Sequence, residues 1–215
     1  MADDVDDEAL PARDGVEAVV RTHLGAGELD AAATRALERY GPELFGFLRA
    51  LARDDDLAAE AFAAASEHIW RGLPRFRWEA SLRTWCYQLA RNALHQARID
   101  PRRRPERNLP MSLLQSVVEV QRSATAPYQR TDIKDGLRAL RESLTSEDHE
   151  IMILRLDRGM SWKDIARSID GEDLTGGKLD QRAASLRKRF ERAKSQLRDM
   201  AIAAGLLPTP SDDTT

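Results

Sequence analysis

The chain has 215 residues, of which 32% are charged and 6% aromatic, a balance that suits one or two helical domains with small cores. One cysteine, Cys86, excludes an internal disulfide framework and fits a reducing cytoplasm; its place in an apolar helical pattern marks it as packing. The N-terminus MADDVDDEAL lacks the basic and apolar segments of a signal peptide, and no apolar run approaches the roughly 20 residues needed to span a bilayer. The net charge of −3 conceals an asymmetry. Residues 1–70 carry 16 acids and 6 bases, a net of −10, whereas residues 71–110 carry 10 bases and 3 acids, a net of +7. Residues 181–198 carry 7 bases and 1 acid, a net of +6. Two basic blocks in an acidic chain point to nucleic acid more sharply than uniform basicity does, although a solvated helix face has the same composition.

Residues 1–30 open as an acidic extension, expected to be partly disordered, with a weak helix over Val16 to Leu24 that Gly25 and Gly27 end. From Ala31 the apolar residues Leu37, Tyr40, Leu44, Leu48 and Leu51 recur at helical spacing, with Pro42 marking a helix start or a kink. After the acidic turn RDDD, a second stripe runs through Leu57, Ala61, Phe62, Ala65, Ile69 and Trp70 until RGLPRF breaks it. Ser81 can cap a third helix with an apolar face of Leu82, Trp85, Leu89, Ala93 and Ala97. Another face of that helix gathers Arg83, Tyr87, Arg91, His95 and Arg98, a basic stripe with one aromatic that suits a phosphate backbone. Phe76 and Trp78 precede it in a loop, either free to meet bases or plugging the core.

Residues 101–130 read as a linker, because DPRRRPERNLP is too rich in proline for regular structure, and SLLQSVVEV can form a short helix or lie in a partner's groove. The next helix carries Ile133, Leu137, Leu140 and Leu144. Thr145 with Asp148 resembles a capping box, Gly159 can end the following helix in the left-handed conformation, and Ser161 with Asp164 repeats the cap. A last helix from about Arg182 buries Leu186, Phe190, Ala193 and Leu197 and turns Arg182, Arg187, Lys188, Arg192 and Lys194 outward. This order describes a helix-turn-helix with a basic recognition helix. His23, His68, His95 and His149 show no metal-ligand spacing, and no phosphate loop or nucleophile motif occurs. No enzyme activity, cofactor, metal site or small-molecule substrate is therefore expected.

The runs RYGPELFGFLRAL, HIWRGLPRFRWEASLRTWCYQLARNAL, RGMSWKDIARSI and LRKRFERAKSQL together resemble bacterial sigma factors. The nearest group is the small extracytoplasmic-function class of the sigma-70 family, which keeps only the second and fourth conserved regions. PRFRWEASLRTWCYQLARN is especially similar to that group's pattern RFRGxSSFRTWLYRIARN. The resemblance implies an all-α chain of two small helical domains. Residues 31–100 would be region 2 and residues 131–204 region 4; residues 205–215 beyond them are expected to form a disordered tail. It also implies cytoplasmic binding to core RNA polymerase, through the β′ clamp and β flap, and to promoter DNA, with an anti-sigma factor as a further partner. Arg75, Phe76, Arg77, Trp78, Ser81, Arg83, Tyr87, Arg91 and Asn92 would contact the minus-ten element. Arg182, Ser185, Arg187, Lys188, Arg189 and Arg192 would contact the minus-thirty-five element.

Two departures stand out. The family meets the clamp with an acidic DAEDLVQE run, where this chain has LAAEAFAAA. Asp54, Asp55, Asp56 and Glu60 keep acids near that face, but Ala63 and Ala64 replace polar and acidic groups, and phosphorylation of Ser66 is a possible source of charge. The second departure is GEDLTGGKLD, about ten extra residues between the two helices of the helix-turn-helix. A sigma-like decoy that occupies an anti-sigma factor, or an ordinary helix-turn-helix regulator, are the alternatives.

Overall fold

The computed structural model describes residues 15–99, 140 and 143–208. The expected linker, the bulk of the acidic extension, Ile133 and Leu137, and residues 209–215 lie outside them. Every regular element among the described residues is helical.

Helix α1 spans Gly15–Gly25 and α2 spans Leu29–Ala52. The α2 stripe buries Leu37, Tyr40, Leu44 and Leu48 as its spacing predicts. Pro42 lies within this helix rather than at its start, leaving the Glu38 carbonyl without its usual intrahelical donor. Arg53 then reverses the chain in the left-handed conformation (φ 57°), and Asp54 caps α3, Asp55–Gly72, by accepting a 2.8 Å bond from the Leu57 amide. The Trp70 indole donates to Asp30 at 2.8 Å, tying the end of α3 to the start of α2. A Cβ on Gly72 would stand 2.8 Å from the Trp85 ring, so glycine lets this corner close. A 3₁₀ turn, Leu73–Arg75, leads into the aromatic loop, and α4 spans Leu82–Ile99. Helix α4 packs on α2 and α3 and buries Trp85, Cys86, Ala90, Ala93 and Leu94.

The second block begins at Thr145, whose hydroxyl oxygen accepts from the Asp148 amide at 3.2 Å and so caps α5, Ser146–Met152. A π-helical turn, Ile153–Asp157, follows, and Gly159 (φ 62°) reverses the chain as its position predicts. Ser161 caps α6, Trp162–Asp170, through the Asp164 amide at 3.1 Å. Helix α7 spans Gly176–Ala203, starting about six residues before the expected Arg182. Half of the apparent insertion thus becomes the start of α7, and residues 171–175 separate it from α6. Trp162 meets Phe190 edge to face at 5.3 Å, locking α6 to α7.

The two blocks are in contact. Helix α4 packs directly against α6, and one apolar cluster runs from Val20 in α1 to Ala193 in α7. Two independent apolar patterns in the sequence had suggested separate cores; the structure joins them.

Candidate nucleic-acid interface

The aromatic loop is built as a stack. The Phe76 ring lies 4.7 Å from that of Trp85 with 23° between planes, and the Trp78 ring lies 4.7 Å from Phe76, tilted by 49°. The Arg21 guanidinium of α1 closes the stack 4.0 Å above the Trp78 ring. Phe76 is buried, so of the two readings the sequence left open its ring plugs the core and is not free to meet a base as the resemblance implied. Trp78 is only half-buried and adopts φ 60°, a left-handed conformation rare for a bulky residue. Arg75, Arg77 and Asn92 are exposed, and Ser81 caps α4 by accepting from the Thr84 amide at 3.1 Å. A second cap comes from far away: Glu17 in α1 accepts the Leu82 amide at 2.6 Å. Neither Glu17 nor Arg21 carries a local sequence signal, because both act through packing between distant elements.

The basic face of α4 is real, but most of it is occupied. The Arg83 guanidinium grips Glu43 at 2.8 Å and donates to the Arg158 carbonyl at 2.9 Å. Burial alone would lower its pKa, yet the Glu43 hydrogen bond and charge hold it above the ordinary arginine value. Tyr87 is fully buried rather than exposed on the stripe: its ring meets Phe47 edge to face at 5.0 Å and its hydroxyl donates to Glu43 at 3.2 Å. Burial, with Glu43 beside it, pushes the Tyr87 phenol well up, and burial does the same to the Cys86 thiol. Arg91 donates to Glu150 of α5 at 2.7 Å and to the Ile169 carbonyl at the end of α6 at 3.3 Å. Burial raises the Glu150 carboxyl above its usual range in spite of that partner. His95 and Arg98 are exposed, and Arg98 donates to the Leu51 carbonyl at 2.6 Å.

On α7 the expected contacts divide in two. Arg182 pairs with Asp170 at 2.5 Å, and Arg189 pairs with Glu147 at 2.5 Å and Asp148 at 2.6 Å, so both fasten α7 to neighbouring helices. Ser185, Arg187, Lys188 and Arg192 are exposed, and the three bases form no ion pair among the described residues.

Along α3, Asp54 is used as a cap and Asp55 pairs with Arg49 at 2.8 Å, while Asp56 is exposed. Glu60, Ala63 and Ala64 are half-buried. Ser66 is fully buried and donates to the Phe62 carbonyl at 2.8 Å, which withdraws it as a site for phosphorylation. Among the described residues no group of histidine, cysteine and acidic side chains could hold a metal, and no helix is long and apolar enough to cross a membrane.

Residues 36–104, about a third of the chain, match the family model for Sigma-70 region 2. The matched segment takes in most of α2, all of α3, the aromatic loop and α4, and it supports a sigma-70 family member. A region 2 segment points to a non-catalytic role in RNA polymerase binding and transcription initiation. No curated protein and no solved structure matches the chain.

Proposed function

We propose that this chain is a sigma factor of the extracytoplasmic-function type, acting in the cytoplasm by binding core RNA polymerase and selecting promoters. The observation that carries the reading is the region 2 match over residues 36–104, because it falls on the aromatic loop and the α4 arginines together. In this reading Trp78 supplies the ring on which an unstacked minus-ten base rests once Arg21 leaves its face, Phe76 and Trp85 hold that ring rigid, and Arg77, Arg83 and Arg91, released from their protein partners, follow the strand backbone. Stacking of this kind is worth about 1–3 kcal/mol per base. Residues 131–204 act as the region 4 helix-turn-helix, and Arg187, Lys188 and Arg192 at the exposed side of α7 meet the minus-thirty-five duplex. The exposed acids at the start of α3 face the β′ clamp.

A decoy that captures an anti-sigma factor is the second reading. The half-buried Ala63 and Ala64, uncharged where the family carries polar and acidic groups, favour it. Transcription in vitro with core polymerase on a promoter library separates the two. Promoter-dependent transcripts support the sigma factor; an anti-sigma complex with no transcripts and no polymerase binding supports the decoy.

A further inference from the structure

A cleft of about 410 Å³ opens where the end of α2, the second half of α4 and the start of α5 converge. Part of its lining is apolar: Leu94 and Leu144 are buried, and Leu51 and Ala52 are half-buried beside them. Charged groups surround this apolar part. Arg53 lies just beyond the end of α2, and Arg91, His95 and Arg98 line the α4 side at spacings of four and three. Glu147, His149 and Glu150 come from α5.

The charges of the lining do not cancel. Three arginines against two glutamates leave one positive charge with both histidines neutral. Both glutamates are already engaged: Glu150 by Arg91 at 2.7 Å, and Glu147 from outside the cleft by Arg189 of α7 at 2.5 Å. Arg98 donates from one nitrogen to the Leu51 carbonyl at 2.6 Å. Its other N–H groups, and the exposed His95 ring, have no hydrogen-bond partner among the described residues. A guanidinium with donors to spare beside apolar surface selects a ligand by two features. The apolar lining favours a hydrocarbon or aromatic body, and the planar fork of N–H groups favours an acidic head. A single uncompensated charge favours a single anion, since a polyanion would also meet Glu147 and Glu150 and be repelled. The volume falls within the range of small-molecule pockets, about 300–1,000 Å³.

We infer that this cleft is a binding site for a small amphipathic monoanion. Arg98 and His95 hold its acidic head, and its apolar body lies against Leu51, Leu94 and Leu144. The inference goes beyond the proposed function and does not depend on it. Of the residues named here that reading uses only Arg91, whose N–H groups are taken by Glu150 and the Ile169 carbonyl.

The test titrates the full chain with anilinonaphthalene sulfonate, one sulfonate on an apolar ring system, and follows the dye's fluorescence. Octanoate and octanol, the same apolar chain with and without a charge, serve as competitors. The expected result is saturable binding of one dye per chain, displaced by octanoate and about tenfold less effectively by octanol. Arg98→Gln should weaken both the dye and octanoate about tenfold. Ala52→Phe, which fills the cleft without altering its charge, should abolish saturable binding. Circular dichroism and thermal melts check that each variant stays folded. Arg35→Gln, at an exposed arginine near the other end of α2, should bind the dye as the parent does. An absence of saturable binding to the parent overturns the inference. So does equal competition by octanoate and octanol, or dye binding that either folded cleft variant leaves unchanged.

Discussion

Arg91 and Glu150, 59 positions apart in the chain, form a 2.7 Å ion pair that joins α4 to α5. Its two members are not equivalent: the Glu150 side chain is 9% exposed and that of Arg91 31%. Arg91→Ala therefore strands a buried carboxylate, whereas Glu150→Gln leaves an uncharged amide facing an arginine that water still reaches. Arg91→Ala should cost about 1–3 kcal/mol of stability and Glu150→Gln distinctly less. Urea unfolding of both variants at neutral pH checks the order; equal costs would contradict it.

The aromatic loop should divide into a structural ring and a working ring. Phe76→Ala removes a buried ring that packs against two others and should cost about 3–5 kcal/mol. Trp78→Gly exchanges a bulky residue at φ 60° for the residue that the pattern RFRGxSSF has in that place, so strain relief offsets lost ring contact. Its stability should change by less than about 1 kcal/mol, while affinity for pre-melted promoter DNA falls by about 1–3 kcal/mol. Thermal melts paired with binding to a bubble template separate the two effects.

Among the α7 bases, Arg187→Ala, Lys188→Ala and Arg192→Ala should weaken duplex binding and each lower the salt slope by about one, with stability within about 0.5 kcal/mol of the parent. Arg189→Ala should instead destabilise the block, because Arg189 holds Glu147 and Asp148 in α5. Binding titrations at several salt concentrations, with melts alongside, distinguish a phosphate contact from a structural one.

Asp148 supplies a pH dependence with a definite sign. Burial would raise its carboxyl, but hydrogen bonds from Arg189 and Thr145 outweigh burial and leave it below the ordinary aspartate value. A carboxyl lowered by folding contributes stability that is complete above the unfolded value and lost as pH falls through the folded one. Acid titration of the urea midpoint should therefore show a loss below the usual aspartate range, and Asp148→Asn should flatten that part of the curve.

Charge restoration on α3 should depend on which residue receives it. Ala63→Gln/Ala64→Glu places polar groups at half-buried positions and should tighten core polymerase binding if clamp contact is charge-limited. Ser66→Glu forces a carboxylate into a fully buried site and should destabilise the chain by several kcal/mol instead. Polymerase pull-down against melting temperature separates them; a stable, tighter-binding Ser66→Glu chain would overturn the placement of Ser66.

Local chemistry was enough to read the caps at Ser81, Thr145 and Ser161, the acidic turn before α3, the reversal at Gly159, and the apolar stripes of α2, α3 and α4, because each depends on spacing within a few residues. The sequence also marked the arginine face of α4 and the outward bases of α7, since charge at helical spacing is visible without coordinates. What it could not reveal was which of those charges were already satisfied. Glu43, Glu150 and Asp164 reach the α4 face from 40, 59 and 80 positions away, and no local rule links them to it. Phe76 and Tyr87 looked available for the same reason: an aromatic in a basic run is exposed or buried according to what packs over it. Here that is Trp85 and Trp78 around Phe76, and Phe47 over Tyr87. Spacing along a helix sets which side chains share a face, but only the fold sets what that face meets, because long-range partners are chosen by packing and not by position in the chain.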